Sequence, residues 1–205
     1  IIGSETSRGN VGGKGAGLFI AEQILKHAAK EEPLLQEIKT PRTWYIATDQ
    51  IAEFLNYNNM QDLNAYKYNS TFYLRMTYDD VVSKIKSAKL PPGITNMLRI
   101  TLDDLEGVPI IVRSSSLLED SHEGAFSGKY KSLFLANQGS KEEQLAALED
   151  AILEVYSSMY NPDSLNYRKE RGLLNCTERM GILIQEVVGR KIGKYYMPVY
   201  AGVAF

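Results

Sequence analysis

Lys14 stands among five glycines in residues 9–17, GNVGGKGAG, directly ahead of a helix-like pattern. Glycine lets a backbone approach an anion closely and take positive φ. A helix start offers N–H groups and positive partial charge, and a lysine there adds a mobile cation. Gly12, Gly13 and Gly15 are therefore candidates for a phosphate-supporting loop. The alternative is a loop that only tightens the helix start, and on this stretch alone the two readings stand level. The stretch is not a P-loop, because Gly15 follows Lys14 where that signature needs Ser or Thr. It is not a dinucleotide fingerprint either, because no convincing strand precedes it.

A second constellation is Arg113 with Ser114, Ser115 and Ser116, followed by Glu119 and Asp120. A guanidinium at the mouth of a buried strand can fork onto phosphate oxygens. The serines can donate hydrogen bonds or make a turn, and the acids can orient the cations or be solvated. A strand exit held by a structural salt bridge fits equally well. The third is residues 124–132, GAFSGKYKS, where two glycines flank Phe126 and a basic segment follows. Such a loop can hinge as a lid or form a hairpin turn, and Phe126 itself reads as buried in a turn.

These residues need elements to hold them. Leu18, Ala21, Ile24, Leu25 and Ala28 recur at helical spacing, so the glycine loop opens into a helix. Residues 31–40, charged and carrying Pro33, read as a connector. Residues 43–48, TWYIAT, form a short strand, and Asp49 caps a helix running to about Leu55. Residues 56–76, rich in Asn and Tyr, read as a surface excursion. Val81, Val82, Ile85 and Ala88 mark a helix that stops before Pro91 and Pro92. Residues 93–105 mark another, with Ile94, Met97, Leu98 and Leu102 inward. The apolar run at 108–112 is a central strand ending in Arg113 and the serines, and residues 130–136 alternate as a further strand.

Ser140 and Glu143 form a capping-box pair at the start of a helix with Leu145, Leu148, Ile152, Val155 and Met159 on one face. Asn161 and Pro162 begin the next helix, and Gly172 stops it. Residues 180–188 and 195–205 are final strands joined through Gly189 and Gly193, with Tyr195, Tyr196 and Tyr200 as packing residues. The mixture of strands and helices places the fold class as α+β, mixed α/β.

Composition excludes several functions. A net charge of −2 over 205 residues, with no block of like charge, leaves no concentrated basic surface for nucleic acid. A local basic pocket for a small phosphate ligand remains allowed. No apolar run approaches the ~18 residues that span a bilayer. The single cysteine, Cys176, permits no internal disulfide; it reads as a buried or half-buried small residue in a reducing, cytoplasmic protein. His27 and His122 lie far apart with no Cys partners at zinc spacing, and His122 reads as a surface histidine. The chain starts at Ile1 and stops at Phe205 within an apolar, strand-like run, so it is expected to be a fragment.

Five blocks carry a resemblance. GGKGAGL, PIIVRSSSLLEDSHEGAFSGKYKSLFL, YNPDSLNYRKERG, MGILIQEVV and AGVAF follow in order across nearly the whole chain. Together they resemble the N-terminal nucleotide-binding domain of the pyruvate phosphate dikinase and phosphoenolpyruvate synthase family, which glucan, water dikinases and rifampin phosphotransferases share. Residues 30–105 align most loosely. The resemblance implies an ATP-grasp-like domain over 1–205, with the second lobe truncated. Its first part, 1–107, carries the GGKG loop, and its second, 108–205, carries the VRSS motif and the closing strands.

The resemblance further implies that ATP gives its β-phosphate to a histidine on a separate swivelling domain, and that this histidine phosphorylates an acceptor bound at a third. Pyruvate is the leading acceptor, with a glucan or an antibiotic as the alternative; a non-catalytic nucleotide sensor is a further reading. Lys14 and Arg113 match the family's phosphate-contacting cations, Gly128 and Ser132 match its glycine-bounded loop, and Gln185 matches a glutamine near the adenine. Gly12, Gly13, Gly15, Ser114 and Ser115 support the phosphates. Lys129 departs from the glutamine common in relatives, and Ser132 stands where threonine is common. The implied Mg²⁺ ligands and the phosphohistidine would lie after Phe205, so the chain alone is expected to be inactive.

Overall fold

The structure, a computed structural model, describes residues 1–3, 7–116 and 128–202. The expectations for Glu119, Asp120, His122, Gly124 and Phe126, and for the last residues of AGVAF, fall outside the described residues. Seven helices are described: α1 (Gly12–Ala28), α2 (Gln50–Tyr57), α3 (Leu63–Tyr66), α4 (Thr71–Lys86), α5 (Pro92–Asp104), α6 (Lys141–Ser158) and α7 (Pro162–Glu170). The described strands are β1 (Thr43–Ile46), β2 (Ile110–Ser116), β3 (Ser132–Leu135), β4 (Met180–Glu186), β5 (Arg190–Ile192) and β6 (Tyr195–Met197). A short 3-10 turn at Pro33–Glu37 sits inside the expected connector.

Four strands form one antiparallel sheet in the order β1-β4-β2-β3, and β5 and β6 form a separate hairpin. The α+β class read from the sequence is the one observed. Side chains alternate along each strand and directly paired residues share a face, so the register divides the sheet cleanly. One face carries Ile46, Ile110, Val112, Ile182 and Ile184, all with no exposed surface. Against it packs α6, whose Leu148, Ile152, Val155 and Tyr156 are fully buried. Helices α4 and α5 pack behind α6. Phe54 of α2 meets Tyr156 with ring centroids 5.6 Å apart. The capping box at α6 is present in both directions, Ser140 Oγ accepting from Glu143 N–H and Glu143 accepting from Ser140 N–H.

Several expectations change. Residues 56–76 are not a surface excursion: Met60, Leu63, Tyr66 and Leu74 are buried core residues, and the Tyr66 hydroxyl donates to the Leu74 carbonyl at 3.0 Å. The serines after Arg113 do not end the strand, because β2 runs through Ser116 in register with β4. Residues 195–205 hold only three strand residues within the described part. Tyr195 and Tyr200 are exposed rather than packed. Cys176 is exposed, not buried. The glycine stretch is a loop ahead of α1 only through residues 9–11; from Gly12 onward its glycines already belong to the helix.

Candidate functional site

The second face of the sheet gathers the residues that carry chemistry. Period-two alternation puts Ile111, Arg113 and Ser115 of β2 on it. Register adds Gly181, Leu183 and Gln185 of β4, Thr43 and Tyr45 of β1, and Ser132 and Phe134 of β3. Arg113 lies directly across from Ser132 and Leu183, and Gln185 lies across from Ile111 and Thr43. At the β3 edge the face is open, with Phe134 73% exposed.

The start of α1 is welded onto one end of this face. Ser115 Oγ donates to the Val11 carbonyl at 2.7 Å and accepts from the Gly15 N–H at 3.1 Å. Gly12 has φ +73°, and a Cβ there would sit 1.9 Å from the Ser115 carbonyl oxygen. No larger residue allows this approach, so the glycine is required by the docking of helix on strand. Lys14, half-buried, is the residue just before the Gly15 contact, so its backbone enters at the Ser115 end of the face that also carries Arg113.

The segment leading into α1 is tied down from a distance. Asp49 precedes α2 as expected, yet its side chain makes no cap hydrogen bond. Its carboxylate instead accepts from Ser7 Oγ at 2.8 Å, from the Arg8 N–H at 2.8 Å and from the Gly9 N–H at 3.0 Å. Burial pushes the Asp49 carboxyl up, but the hydrogen bonds from Gln50, Ser7, Arg8 and Gly9 outweigh it and hold the group below the usual carboxylate range. Asn10 continues the seam, donating from its N–H to Thr48 Oγ1 at 3.1 Å and accepting from the Gly12 N–H at 3.1 Å. Sequence reading misses Asp49, Thr48 and Asn10 as parts of this site, because their partners lie some 40 residues away with no local pattern to link them.

Each candidate has a definite place. Arg113, Ser115, Ser132 and Gln185 share the face, and Gly12, Gly13, Lys14 and Gly15 form the helix turn set on its end. Ser114 falls on the opposite face and is buried in the core. Gly128 has φ +76° with open space around it. The Lys129 ammonium sits 5.7 Å from the Tyr167 ring centroid, a cation–π contact with α7. His27 is exposed on α1. Among the described residues no group of three or more His, Cys, Asp or Glu side chains is arranged to hold a metal ion.

A mixed α+β domain with a helix N-terminus docked on one end of a partly open sheet face is the class this geometry defines. The chain belongs to the family described as pyruvate phosphate dikinase, AMP/ATP-binding domain, which it matches over residues 8–205. That membership assigns it, at the level of the family, to the ATP-binding part of a transferase. No curated protein matches the sequence. Among the described residues no helix is long and apolar enough to cross a membrane.

Proposed function

We propose that the chain holds ATP along the second sheet face, with the triphosphate at the α1 end and the adenine at the Gln185 end. The observation that supports this is the order of groups along the strands. Lys14 and Ser115 stand at one end, Arg113 and Ser132 in the middle, and Gln185 with Thr43 at the other. From Ser115 to Ile111, the partner of Gln185, is about 14 Å of strand, a fair span for an extended nucleoside triphosphate. Lys14 supplies a point charge and Arg113 a fork of donors. Gly12 and Gly15 serve the phosphates indirectly, since their N–H groups are bonded to Asn10 and Ser115. Ser115 is the weld between helix and strand, and Ser132 and Gly128 border the face from the β3 side.

In the complete protein, on this reading, the β-phosphate goes to a histidine on a swivelling domain and then to an acceptor such as pyruvate, in the cytoplasm. The chain provides positioning and charge, which are the main protein contributions to phosphoryl transfer. Calorimetric titration with ATP tests the site. Lys14→Ala and Arg113→Ala should each weaken binding by roughly 1.5–3 kcal/mol, the range for charged hydrogen bonds. Unchanged affinity in both variants overturns the assignment. Phosphate release from ATP by the 205 residues alone should stay at background; turnover would show that the chemistry needs no other domain.

A further inference from the structure

Gln185 is 8% exposed and sits across from Thr43 in the β1–β4 register. Its Nε2 donates to Thr43 Oγ1 at 2.8 Å, and the Thr43 hydroxyl donates to the Pro41 carbonyl at 2.9 Å. The direction of this relay is forced from one end. A carbonyl oxygen only accepts, and a threonine hydroxyl has one proton, which goes to the Pro41 carbonyl or to the neighbouring Tyr45 oxygen and not to Gln185. Toward Gln185 the Thr43 oxygen is therefore left as an acceptor, so the amide must offer its NH₂ there. The amide is planar, so its carbonyl oxygen turns away from β1. The residue across on the other side is Ile111, whose side chain is apolar and offers that oxygen no donor.

We propose that Thr43 is a specificity-determining positioning residue that fixes Gln185 as a hydrogen-bond acceptor for the nucleobase. The inference rests on the reading that the base lies at Gln185. An acceptor at this point matches a purine with an amino group at carbon 6, which donates. A purine with an oxo group there presents lone pairs to lone pairs and leaves a nearly buried amide oxygen unmatched, which is costly. The discrimination thus originates in the acceptors beside Thr43, the Pro41 carbonyl and the Tyr45 oxygen, and is transmitted through one hydroxyl. Without that hydroxyl the amide is free to turn over and present NH₂ to an oxo base.

The test is a calorimetric comparison of ATP with inosine triphosphate, which differs at carbon 6 and lacks the 2-amino group of guanine. The wild-type chain should favour ATP by about tenfold or more. Thr43→Val keeps the β-branched shape and should bring the two affinities to within a few-fold, while Thr43→Ser, which keeps the hydroxyl, should restore the preference. Gln185→Met, which removes the amide altogether, should abolish discrimination even if Thr43→Val proves poorly folded. If Thr43→Val keeps the wild-type preference while Arg113→Ala still weakens both nucleotides, the relay is overturned and the binding face stands. If neither nucleotide binds, or Gln185→Met and Arg113→Ala are both silent, the binding face fails and takes this inference with it.

Discussion

At the scale of single residues, the glycines near the start of the chain do different work although they read alike in sequence. Gly12 is needed by contact: its φ of +73° costs an alanine roughly 1–2 kcal/mol, and a Cβ would overlap the Ser115 carbonyl at 1.9 Å. Gly17, inside the same helix, has nothing within 4 Å of the point where a methyl group would stand. Gly12→Ala should therefore lose more than about 2 kcal/mol of stability together with nucleotide binding, because α1 cannot seat on β2. Gly17→Ala should gain about 0.5–1 kcal/mol, the helix-interior preference for alanine over glycine. Thermal unfolding of the two variants beside the parent separates the cases, and equal melting temperatures would remove the docking role assigned to Gly12.

At the scale of elements, the seam of Ser7, Arg8 and Gly9 on Asp49 aims the start of α1. The folded pKa of Asp49 is depressed, so its contribution is present above the unfolded value of about 4 and is lost as pH falls through the lower folded value. Urea unfolding at pH 7 should show Asp49→Asn less stable than the parent, and at pH 3 the gap should narrow; a constant gap would mean that the charge carries nothing. This seam also marks where legibility ends. Apolar spacing places α5 and α6 with their buried faces, because those signals are local and periodic. The stretch 56–76 defeats that reading because Met60, Leu63, Tyr66 and Leu74 are spread over several short segments, and no single window holds a full apolar stripe. The serines after Arg113 have turn-forming character, but pairing with β4 overrides it. Of the candidate site, Lys14, Arg113 and Gln185 are readable from motifs, while Thr43, Thr48 and Asp49 act through side-chain contacts that no motif announces.

At the scale of the whole molecule, one buried ion pair joins parts that the sheet alone does not. Arg168 of α7 and Glu178, just ahead of β4, have side chains only 3% and 4% exposed, with Nη1 and Oε2 3.6 Å apart. Arg168 also donates to the Cys176 carbonyl at 2.7 Å, and Ser116 at the end of β2 donates to Glu178. The network thus connects α7, the approach to β4 and the far end of the arginine-bearing strand. The attraction at that separation offsets desolvation only while both charges stay, so removing one strands the other in low dielectric. Arg168→Met should cost about 3–5 kcal/mol by denaturant titration, and the loss should reach nucleotide binding because the end of β2 is loosened. Arg168→Met combined with Glu178→Leu deletes both charges and should recover part of that stability, giving a clear coupling energy in a double-mutant cycle. Strict additivity of the two substitutions would show that the charges act independently and that the pair does not hold α7 to the sheet.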